Sequence, residues 1–511
     1  MKSTLAFLLC SGIVLRSAAQ PGALDLNFDA DGIFTMDLGD GVNEDFSDIA
    51  VQSDGKIVAV GGTDEDGHHG LIIRFLPDGN FDPGFGTGGI VRTTPFDGNG
   101  GRLSYVRIQS DGKILTTGWL AGLDGVVLRF LPNGTLDPGF GLGGIKRLST
   151  SKLTCGAGRI DLTLDGRIVV TSVGGTGGLY DQIVTRRLFV DGSDDTSFSF
   201  DGLAQTALGI NHQGGGLAVD GTGRVIVSGG FRTSGGRETS FVLRYLENGL
   251  LDPDFAVNGV DTFSMSPVWH EFESARSALV LPSGSILLAG SCVLDGNQAG
   301  FLRRIHADGT IDPAFGTAGI VHTQQYYVSS LVTQADGRIV VGGANYSRAC
   351  VGRYLQNGQV DGTFGEEGVA SLLELSDNSA AAYAIALQSD HNILLAGSFS
   401  GAGTDYNLFI ARLLNDEDIG IPEFTAASNT LIYPNPITER AEFTFALEQE
   451  ERLTAEILDA HGKLVHTLFT NRSFASGSHR IPVGLGDLAE GSYRLVLSNG
   501  SGKQAIQLVK K

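Results

Sequence analysis

The chain has 511 residues, 41% of them hydrophobic, and a formal net charge of −21 at pH 7. This length accommodates two or three domains with substantial cores, which argues against general disorder. An acidic chain without a basic patch repels phosphate backbones, so we expect no nucleic-acid partner. Glycine, at 74 residues, has about twice its usual share of ~7%, and this excess favours many short strands joined by tight turns.

The first residues, MKSTLAFLLCSGIVLRSAAQ, have the composition of a secretory signal peptide. Lys2 precedes an apolar stretch from Leu5 to Leu15, and the small residues of Ser17-Ala18-Ala19 supply a cleavage site. We therefore predict a signal peptide over residues 1–19. The rest of the sequence contains no run of 18 or more apolar residues, so we expect no transmembrane segment in the mature protein.

Removal of that peptide would leave Cys155, Cys292 and Cys350. They are widely spaced, odd in number and contain no C-x-x-C pair, so a disulfide framework or a structural zinc site has little support. One disulfide and three buried thiols are equally compatible with this pattern.

Three short phrases recur seven times between residues 20 and 415. The first is a strand pattern such as DGKIVAVGG, which returns at a mean spacing of 56 residues between Lys56 and Asn392. The second is an arginine strand that leads into an Asx-Gly turn, and the third is LDPxF. A unit of this length fits four strands of about five or six residues with their connections. We therefore predict an all-β fold, a seven-bladed β-propeller, since the coils of a parallel β-helix are shorter.

The order of these phrases predicts a closed ring. The region opens with LDLNF at Asp25, which no arginine strand precedes, and ends with an arginine strand at Arg412. In the other six units the aspartate follows the arginine by eight residues, as in Arg74 and Asp82. We predict that Arg412 pairs with Asp25 and that each such pair is a structural latch. Seven ligand-binding arginines are the less favoured interpretation, because a residue needed once for chemistry is not usually copied in each repeat.

The phrases SDGKIVAVGG and IIRFLPDGNFDPGFG resemble the delta-60 repeats of secreted bacterial propeller proteins. The resemblance covers residues 22–415 and extends to all seven copies. The third unit departs from it, because SDDTSFSF lacks the proline, and a distorted blade is expected there. The resemblance implies a propeller and no established activity.

The last part of the chain has a different pattern. Residues 416–428 read as an acidic linker, and the alternation of Leu453, Ala455 and Ile457 has the period of a strand. The segment EQEERLTAEIL could form a helix locally, but its flanks favour strands. We predict a small immunoglobulin-like β-sandwich over residues 429–511.

This segment resembles the type A C-terminal sorting domain of the bacterial type IX secretion system. The matching marks are YPNP (Tyr433, Pro434, Asn435 and Pro436), the LAEGSYRLVL phrase with Gly491 and Tyr493, and the basic end. The resemblance implies the type IX machinery as a partner and a location outside the cell or on its outer surface. The exported protein would be either released or surface-attached.

Signatures of catalysis are scarce in the sequence. The G-x-S-x-G elbow between a strand and a helix, the H-E-x-x-H zinc motif and the S-x-D-x-G-x-T-W signature of propeller sialidases are not found. NFDADG spaces Asn27, Asp29 and Asp31 like the opening of a calcium loop, although Leu38 stands where its last acid is expected. The favoured interpretation is a turn of the repeat whose sequence has diverged, and a calcium site is the alternative. We expect no other cofactor.

Aromatic residues in irregular segments are the ligand-binding candidates. Trp269 lies in SMSPVWHEFES, and Tyr326 and Tyr327 lie in TQQYYVSS, where the repeat pattern is interrupted. On loops these rings could stack on sugars, and the alternative is that they fill the core between blades. We predict a non-catalytic module that binds a glycan or a protein. The alternatives are an extracellular polysaccharide-acting enzyme with its site on one propeller face, and a passive surface component.

Overall fold

The computed structural model divides into two compact units, Met1–Asn415 (unit 1) and Asp416–Lys511 (unit 2). The predicted signal peptide, most of the predicted linker, Trp269, Tyr326 and Pro434 to Pro436 lie outside the described residues. The structure describes residues 20–511 except 40, 66–67, 94–100, 121–123, 150–153, 156–157, 176–180, 266–271, 295, 324–326, 374, 376–378, 401–404, 416–426, 434–436, 438–439, 448, 460–463, 485–487, 489–490, 500–502 and 511.

Unit 1 contains seven antiparallel sheets in its described residues, which we call blades 1 to 7. Strand β1 (Ile33–Met36) belongs to blade 7. Blade 1 consists of β2 (Glu44–Val51), β3 (Ile57–Thr63), β4 (His69–Phe75) and β5 (Ile90–Thr93). Blade 2 consists of β6 (Gly101–Ile108), β7 (Ile114–Leu120), β8 (Asp124–Phe130) and β9 (Ile145–Arg147).

Blade 3 is the irregular one. It contains β10 (Thr154–Cys155), β11 (Arg159–Leu162), β12 (Ile168–Gly175), β13 (Gln182–Leu188) and β14 (Leu203–Thr206). Both β10 and β11 pair with β12, so the place of a single first strand is taken by two short strands. The departure from the repeat in this unit of the sequence therefore accompanies a change in its first strand.

Blades 4 to 7 complete unit 1, and blade 7 combines the two ends of the repeat region. The first three strands of blade 7 are followed in the sheet by β1, from the start of the chain. The strands are β15 (Ile210–Val219), β16 (Val225–Arg232), β17 (Glu238–Tyr245) and β18 (Val260–Phe263) in blade 4; β19 (Glu273–Val280), β20 (Ile286–Leu294), β21 (Asn297–Ile305) and β22 (Ile320–Thr323) in blade 5; β23 (Tyr327–Thr333), β24 (Ile339–Asn345), β25 (Arg348–Tyr354) and β26 (Val369–Ser371) in blade 6; β27 (Ala380–Leu387), β28 (Ile393–Ser400) and β29 (Tyr406–Leu413) in blade 7.

The blades form a closed ring. The inner strand of each blade (β2, β6, β11, β15, β19, β23 or β27) contacts the inner strands of both neighbouring blades, and β27 contacts β2. The hydrophobic core lies between adjacent blades, as in the cluster that joins Val58 and Ile72 of blade 1 to Val106 and Val126 of blade 2. The predicted all-β propeller fold is thus confirmed, and the described residues contain no helix.

A repeated latch of arginine, aspartate and phenylalanine fastens each blade. The arginine nitrogen lies 2.6–2.8 Å from the aspartate oxygen in all seven copies, and these side chains are largely buried. The guanidinium also stacks on a phenylalanine ring at 4.5–4.9 Å. The latches are Arg74–Asp82–Phe85, Arg129–Asp137–Phe140, Arg187–Asp195–Phe198, Arg244–Asp252–Phe255, Arg304–Asp312–Phe315, Arg353–Asp361–Phe364 and Arg412–Asp25–Phe28.

Each latch also reaches the next blade. A second arginine nitrogen, Nη1, donates a hydrogen bond to the turn that follows the arginine strand of the next blade in the ring. The acceptors, in order from blade 1, are the backbone carbonyls of Pro132, Val190, Glu247, Ala307 and Gln356, then the side chain of Asn415 and the carbonyl of Pro77. The last bond leads back to blade 1, so the seven bonds make a closed cycle.

Unit 2 consists of two antiparallel sheets that share one hydrophobic core. The alternating Leu453, Ala455 and Ile457 are fully buried in it, and EQEERLTAEIL lies mostly in a strand. The immunoglobulin-like topology stays a prediction. The first sheet contains β30 (Ala427–Tyr433), β31 (Arg440–Leu447) and β34 (Gly477–Gly484); the second contains β33 (Leu464–Phe474), β32 (Glu451–Asp459), β35 (Gly491–Ser498) and β36 (Lys503–Lys510).

Candidate functional site

The inner strands of all seven blades line one cavity of about 390 Å³, which we call the central pocket. In five blades the inner strand has a β-bulge, and the extra residue of the bulge lines this pocket. A bulge re-aims one side chain without ending the pairing. The five bulge residues are Ser47, Ser104, Arg276, Ser329 and Tyr383.

These five residues occupy one position of the repeat. Each stands seven residues before the same position of the turn that follows the inner strand, for example Ser47 before Asp54 and Tyr383 before Asp390. These five blades therefore share the β-bulge and differ in the side chain of its extra residue. The repeats differ in residue type at the central pocket, whereas they have the same residue types at the latch.

The pocket is positively charged although the chain is acidic. Three arginines and one aspartate line it, which gives a net charge of +2 among its described lining residues, whereas the whole chain has a net charge of −21. Arg102 forms an ion pair with Asp45. Burial lowers the pKa of Arg102 from its usual value. The positive excess thus comes from Arg159 and Arg276.

Arg159 ties the inner strands of several blades together. Arg159 is a residue of β11 in blade 3. Its Nε donates a hydrogen bond to the carbonyl of Gly215 at 2.6 Å, and its Nη2 donates one to the carbonyl of Arg276 at 2.8 Å. A longer contact of 3.5 Å joins Nη2 to the carbonyl of Ser329. Its guanidinium lies 4.7 Å from the centre of the Tyr105 ring. Arg159 therefore orders the pocket wall through neutral acceptors and keeps its charge there.

Arg276 is held between aromatic rings. Its guanidinium lies 4.7 Å from the centre of the Tyr327 ring and 5.2 Å from that of Phe272. Nη1 donates a hydrogen bond to the hydroxyl of Tyr327 at 3.1 Å, and the buried Nε has no hydrogen-bond partner in the described part of the chain. Its orientation is fixed while its charge has no carboxylate beside it among the described residues.

A charged group made of three residues joins the inner strands of blades 1 to 4. Arg107 lies 3.4 Å from Asp48 and 3.5 Å from Asp161. The two carboxylates also accept the backbone amides of Val106 and Val219, at 2.9 and 3.1 Å, each in the following blade. Burial raises the pKa of Asp48, and Arg107 offsets part of that effect. Burial acts to lower the pKa of Arg107, but Asp48 and Asp161 raise it above its usual value.

Of the three aromatic candidates from the sequence, one lines the central pocket and two lie outside the described residues. Tyr327 lines the central pocket, but it is the first residue of strand β23 and does not stand on a loop as expected. Trp269 and Tyr326 lie outside the described residues. Sequence reasoning missed Arg276 and Tyr383, which an in-register comparison of the seven copies at the bulge position would have singled out.

The residues of the calcium hypothesis belong to a turn of the last latch. The Asn27 amide donates to Asp25 Oδ1 at 3.0 Å, and Asp31 Oδ1 accepts the backbone amide of Ile33 at 3.0 Å. Burial, with the charges of Asp31 and Asp78, raises the pKa of Asp29. Across the described part of the chain, no group of three or more His, Cys, Asp or Glu side chains is arranged to hold a metal. Calcium at this turn stays a prediction.

Two of the three cysteines are buried as thiols, namely Cys292 and Cys350. Burial raises the pKa of Cys350 to about 12, which keeps its thiol protonated and unreactive.

The marks of the sorting domain differ in exposure. Tyr433 is 79% exposed at the end of β30, whereas Tyr493 is buried in the core of unit 2. Gly491 begins β35, and Pro434, Asn435 and Pro436 lie outside the described residues. The role of these residues in sorting stays a prediction.

Comparison with known families agrees with this architecture. Residues 431–511 match the secretion system C-terminal sorting domain. Five stretches match the model described as a domain of unknown function (DUF5122) beta-propeller, namely residues 52–85, 109–140, 221–255, 281–315 and 334–364. The chain therefore carries DUF5122 β-propeller repeats, consistent with the delta-60 resemblance, and a sorting domain.

A propeller joined to a type IX sorting domain is a bacterial protein exported to the cell surface or secreted. The sorting domain implies an interaction with the type IX machinery. Within the part of the chain that the structure describes, no helix is long and apolar enough to cross a membrane.

Solved structures with a similar fold are distant. A protein of unknown function from Dyadobacter fermentans is 12% identical with a TM-score of 0.39, and the match covers 75% of this chain and 99% of that one. An ulvan lyase of a new polysaccharide lyase family, bound to -[GlcA(1-4)Rha3S]-, is 13% identical with a TM-score of 0.40, over 73% and 94% of the two chains. Prolyl oligopeptidase B from Galerina marginata is 10% identical with a TM-score of 0.41, and the match covers 79% of this chain but only 56% of that one. No curated protein matches the chain.

Proposed function

We propose that this exported propeller is a non-catalytic binding module whose ligand enters the central pocket. The observation that carries the proposal is the contrast between two repeated positions. The latch holds the same three residue types in all seven blades, whereas the bulge position of the inner strand presents serine, arginine or tyrosine. Because the latch residues are constant and the side chains that line the central pocket differ between blades, we place the ligand specificity in the central pocket.

The size and lining of the pocket support binding of a small polar ligand or the end of a chain. Its volume of about 390 Å³ lies in the range of about 300–1,000 Å³ typical of ligand sites. Tyr105, Tyr327 and Tyr383 supply amphipathic rings, and Ser47 and Ser104 supply hydroxyls. Rings of this kind pack against the apolar faces of sugars while their hydroxyls stay hydrogen-bonded. We infer that an extracellular glycan is the ligand.

The lining favours binding over hydrolysis. Glycoside hydrolysis ordinarily requires two carboxyl groups on opposite sides of the scissile bond. Asp45 is the single carboxylate among the described lining residues, and it is paired with Arg102. A glycoside hydrolase therefore ranks below the binding module.

The test is a binding assay with the full chain and a panel of immobilised polysaccharides and matrix proteins. The informative variant is Tyr383→Ser, which gives blade 7 the residue that blades 1, 2 and 6 carry at this position. Loss of one aromatic face corresponds to about 0.5–1.5 kcal/mol, so retention should weaken about two- to twelvefold. The matched control is Tyr346→Ser, at a residue that is 84% exposed. Equal retention by both variants, or release of shortened glycan products by the wild type, would contradict the proposal.

A further inference from the structure

We infer that the ligand of the central pocket is an acidic saccharide, and that Arg276 binds its carboxylate or sulfate group. This inference rests on the proposed function and specifies the class of its ligand. It follows from three features of the pocket: its net charge, the surroundings of Arg276, and the aromatic residues next to it.

The charge of the pocket is uncompensated within the described residues. The lining has a net charge of +2. The group of Asp48, Arg107 and Asp161 contributes one negative charge, which leaves the whole region at +1. A positive site inside an acidic protein is the reverse of what its overall composition would produce. An anionic ligand would balance this charge in a place partly shielded from water, where electrostatic attraction is stronger than at the surface.

Arg276 differs from the arginines of the seven latches. Each latch arginine has an aspartate oxygen within 2.8 Å, whereas Arg276 contacts a tyrosine hydroxyl and two rings. Its Nη2 has no hydrogen-bond acceptor in the described residues. A planar guanidinium that is fixed by stacking and keeps free N–H groups is suited to a bidentate bond with a carboxylate or sulfate.

The position of Arg276 indicates a role in the pocket beyond holding the fold. Blades 1, 2 and 6 form the same bulge with serine, so the backbone does not require an arginine there. The side chain lines the pocket together with Tyr327. A cation next to an aromatic face matches an acidic sugar, which presents an apolar ring face and a charged substituent side by side.

The experiment compares three oligosaccharides by isothermal titration of the full chain. They are an oligogalacturonate, the same oligosaccharide after reduction of its carboxyl groups, and a sulfated oligosaccharide that has no carboxyl groups. We expect the wild type to bind one or both charged forms, more weakly as salt increases, and to bind the reduced form at least about tenfold more weakly. The carboxylate and sulfate arms decide which anion the site prefers.

Variants locate the charge recognition. Hydrogen bonds to a charged group contribute about 1.5–3 kcal/mol, so Arg276→Gln should weaken binding of the charged form about ten- to hundredfold without affecting the reduced form. Arg276→Lys keeps the charge but loses the fork and should give an intermediate loss. Arg92→Gln, at an exposed arginine of β5 paired with Glu65, makes the same charge change away from the pocket and should have no effect. Should Arg276→Gln not fold, Tyr327→Phe removes the hydroxyl that orients Arg276 and should also weaken the charged form.

The outcomes separate the two claims. Equal binding of the charged and reduced forms, with the loss still seen for Tyr383→Ser, overturns the acidic ligand and leaves the proposed function intact. An equal loss for Arg276→Gln and Arg92→Gln also overturns it, because the charge effect would then be general. Failure of the wild type to bind any of the three oligosaccharides or any member of the wider panel overturns the proposed function itself.

Discussion

Arg412, in the last strand of the repeat region, forms an ion pair with Asp25, near the start of that region, with 2.8 Å between Nη2 and Oδ2. The two side chains are only 8% and 6% exposed. Backbone bonds accompany the pair, since the amide of Asp25 donates to the carbonyl of Arg412 at 2.9 Å. The same arginine also donates to the carbonyl of Pro77 in blade 1. One side chain thus fastens both the join within blade 7 and the contact between blades 7 and 1.

Breaking this pair should destabilise the ring. Asp25→Asn leaves the buried guanidinium of Arg412 without its counter-charge, and removal of one member of a buried pair costs about 3–5 kcal/mol. We expect a lower midpoint in thermal unfolding followed by circular dichroism. Asp37→Asn is the control, because Asp37 is exposed and, among the described residues, accepts only the amide of Gly39. The double variant Asp25→Asn/Arg412→Gln should be less destabilised than the sum of the single variants, and strict additivity would count against a direct interaction.

Acid should weaken five of the latches, those of Asp82, Asp137, Asp195, Asp312 and Asp361, whose carboxyl pKa values are lowered. Burial acts to raise the pKa of Asp195, but hydrogen bonds from Ser197 and Arg187 and the charge of Arg187 lower it below its usual value. The pKa of Asp361 is lowered in the same way by Thr363 and Arg353, against the effect of burial. A carboxyl whose pKa is lower in the folded chain contributes stability above its unfolded pKa, about 3.9, and loses it as the pH falls through the folded pKa.

We therefore expect the denaturation midpoint to change little from the latches between pH 7 and about pH 5, and to fall steeply below about pH 4. Denaturant titrations at several pH values measure this directly. Asp195→Asn should flatten the acid limb relative to the wild type. An unchanged midpoint down to about pH 2 would show that the latch carboxylates are not coupled to stability.

The latches could be predicted from the sequence because repetition marks them. In six units an arginine is followed by an aspartate eight residues later, as in Arg353 and Asp361. This recurrence is enough to recognise the pair from the sequence alone. The orphan copies at the two ends of the repeat region then predict the pair of Arg412 and Asp25. Periodic residues define the shared fold, so comparison of copies within one sequence is enough to find them.

A search for recurring residues does not find the pocket, because its residues are the ones that differ between the copies; they stand out only when the copies are compared in register at the bulge position. Arg276 and Tyr383 each occur once, within strands that otherwise read as ordinary alternation. Their orientation depends on a β-bulge, which shifts the register by one residue, so the alternation within one strand does not identify the side chain that lines the cavity. Tyr327 is a candidate from the sequence because the segment before it is irregular, which is a weaker and indirect signal.

Glu44 should make the stability of the fold depend on pH in the direction opposite to that of the latch aspartates. It is 1% exposed, its Oε1 accepts the amide of Leu38 at 2.9 Å, and its Oε2 has no hydrogen-bond partner in the described structure. Burial raises the pKa of Glu44 to about 7. The folded chain therefore holds this proton more tightly than the unfolded chain, whose glutamate has a pKa of about 4.3, so stability falls as the pH rises from about 4.3 to about 7.

Glu44→Gln removes this titration. We expect the variant to be more stable than the wild type at pH 8, by up to roughly 4 kcal/mol, and close to it at about pH 4. Glu442→Gln, at an exposed glutamate of unit 2, serves as the control for the loss of one carboxylate. A Glu44→Gln variant that is less stable than the wild type at pH 8 would mean that the charged carboxylate has a stabilising partner.

Gly134 should tolerate no side chain, because its turn covers the latch of the preceding blade. Its φ is +89°, and a Cβ built on it would lie 2.8 Å from Val91, 3.0 Å from the ring of Phe85 and 3.1 Å from the amide of Gly86. Phe85 is the ring on which Arg74 stacks. Gly134→Ala would therefore strain the backbone and also displace the aromatic member of the blade 1 latch.

Gly41 separates these two effects, because it has a φ of +82° and a Cβ added to it would meet no described atom within 4 Å. Gly41→Ala should cost only the backbone strain, about 1–2 kcal/mol. Gly134→Ala should cost more, since moving a packed ring adds about 1–3 kcal/mol. Thermal unfolding of the two variants beside the wild type measures the difference. Equal midpoints for the two variants would show that a side chain at this turn does not disturb the latch.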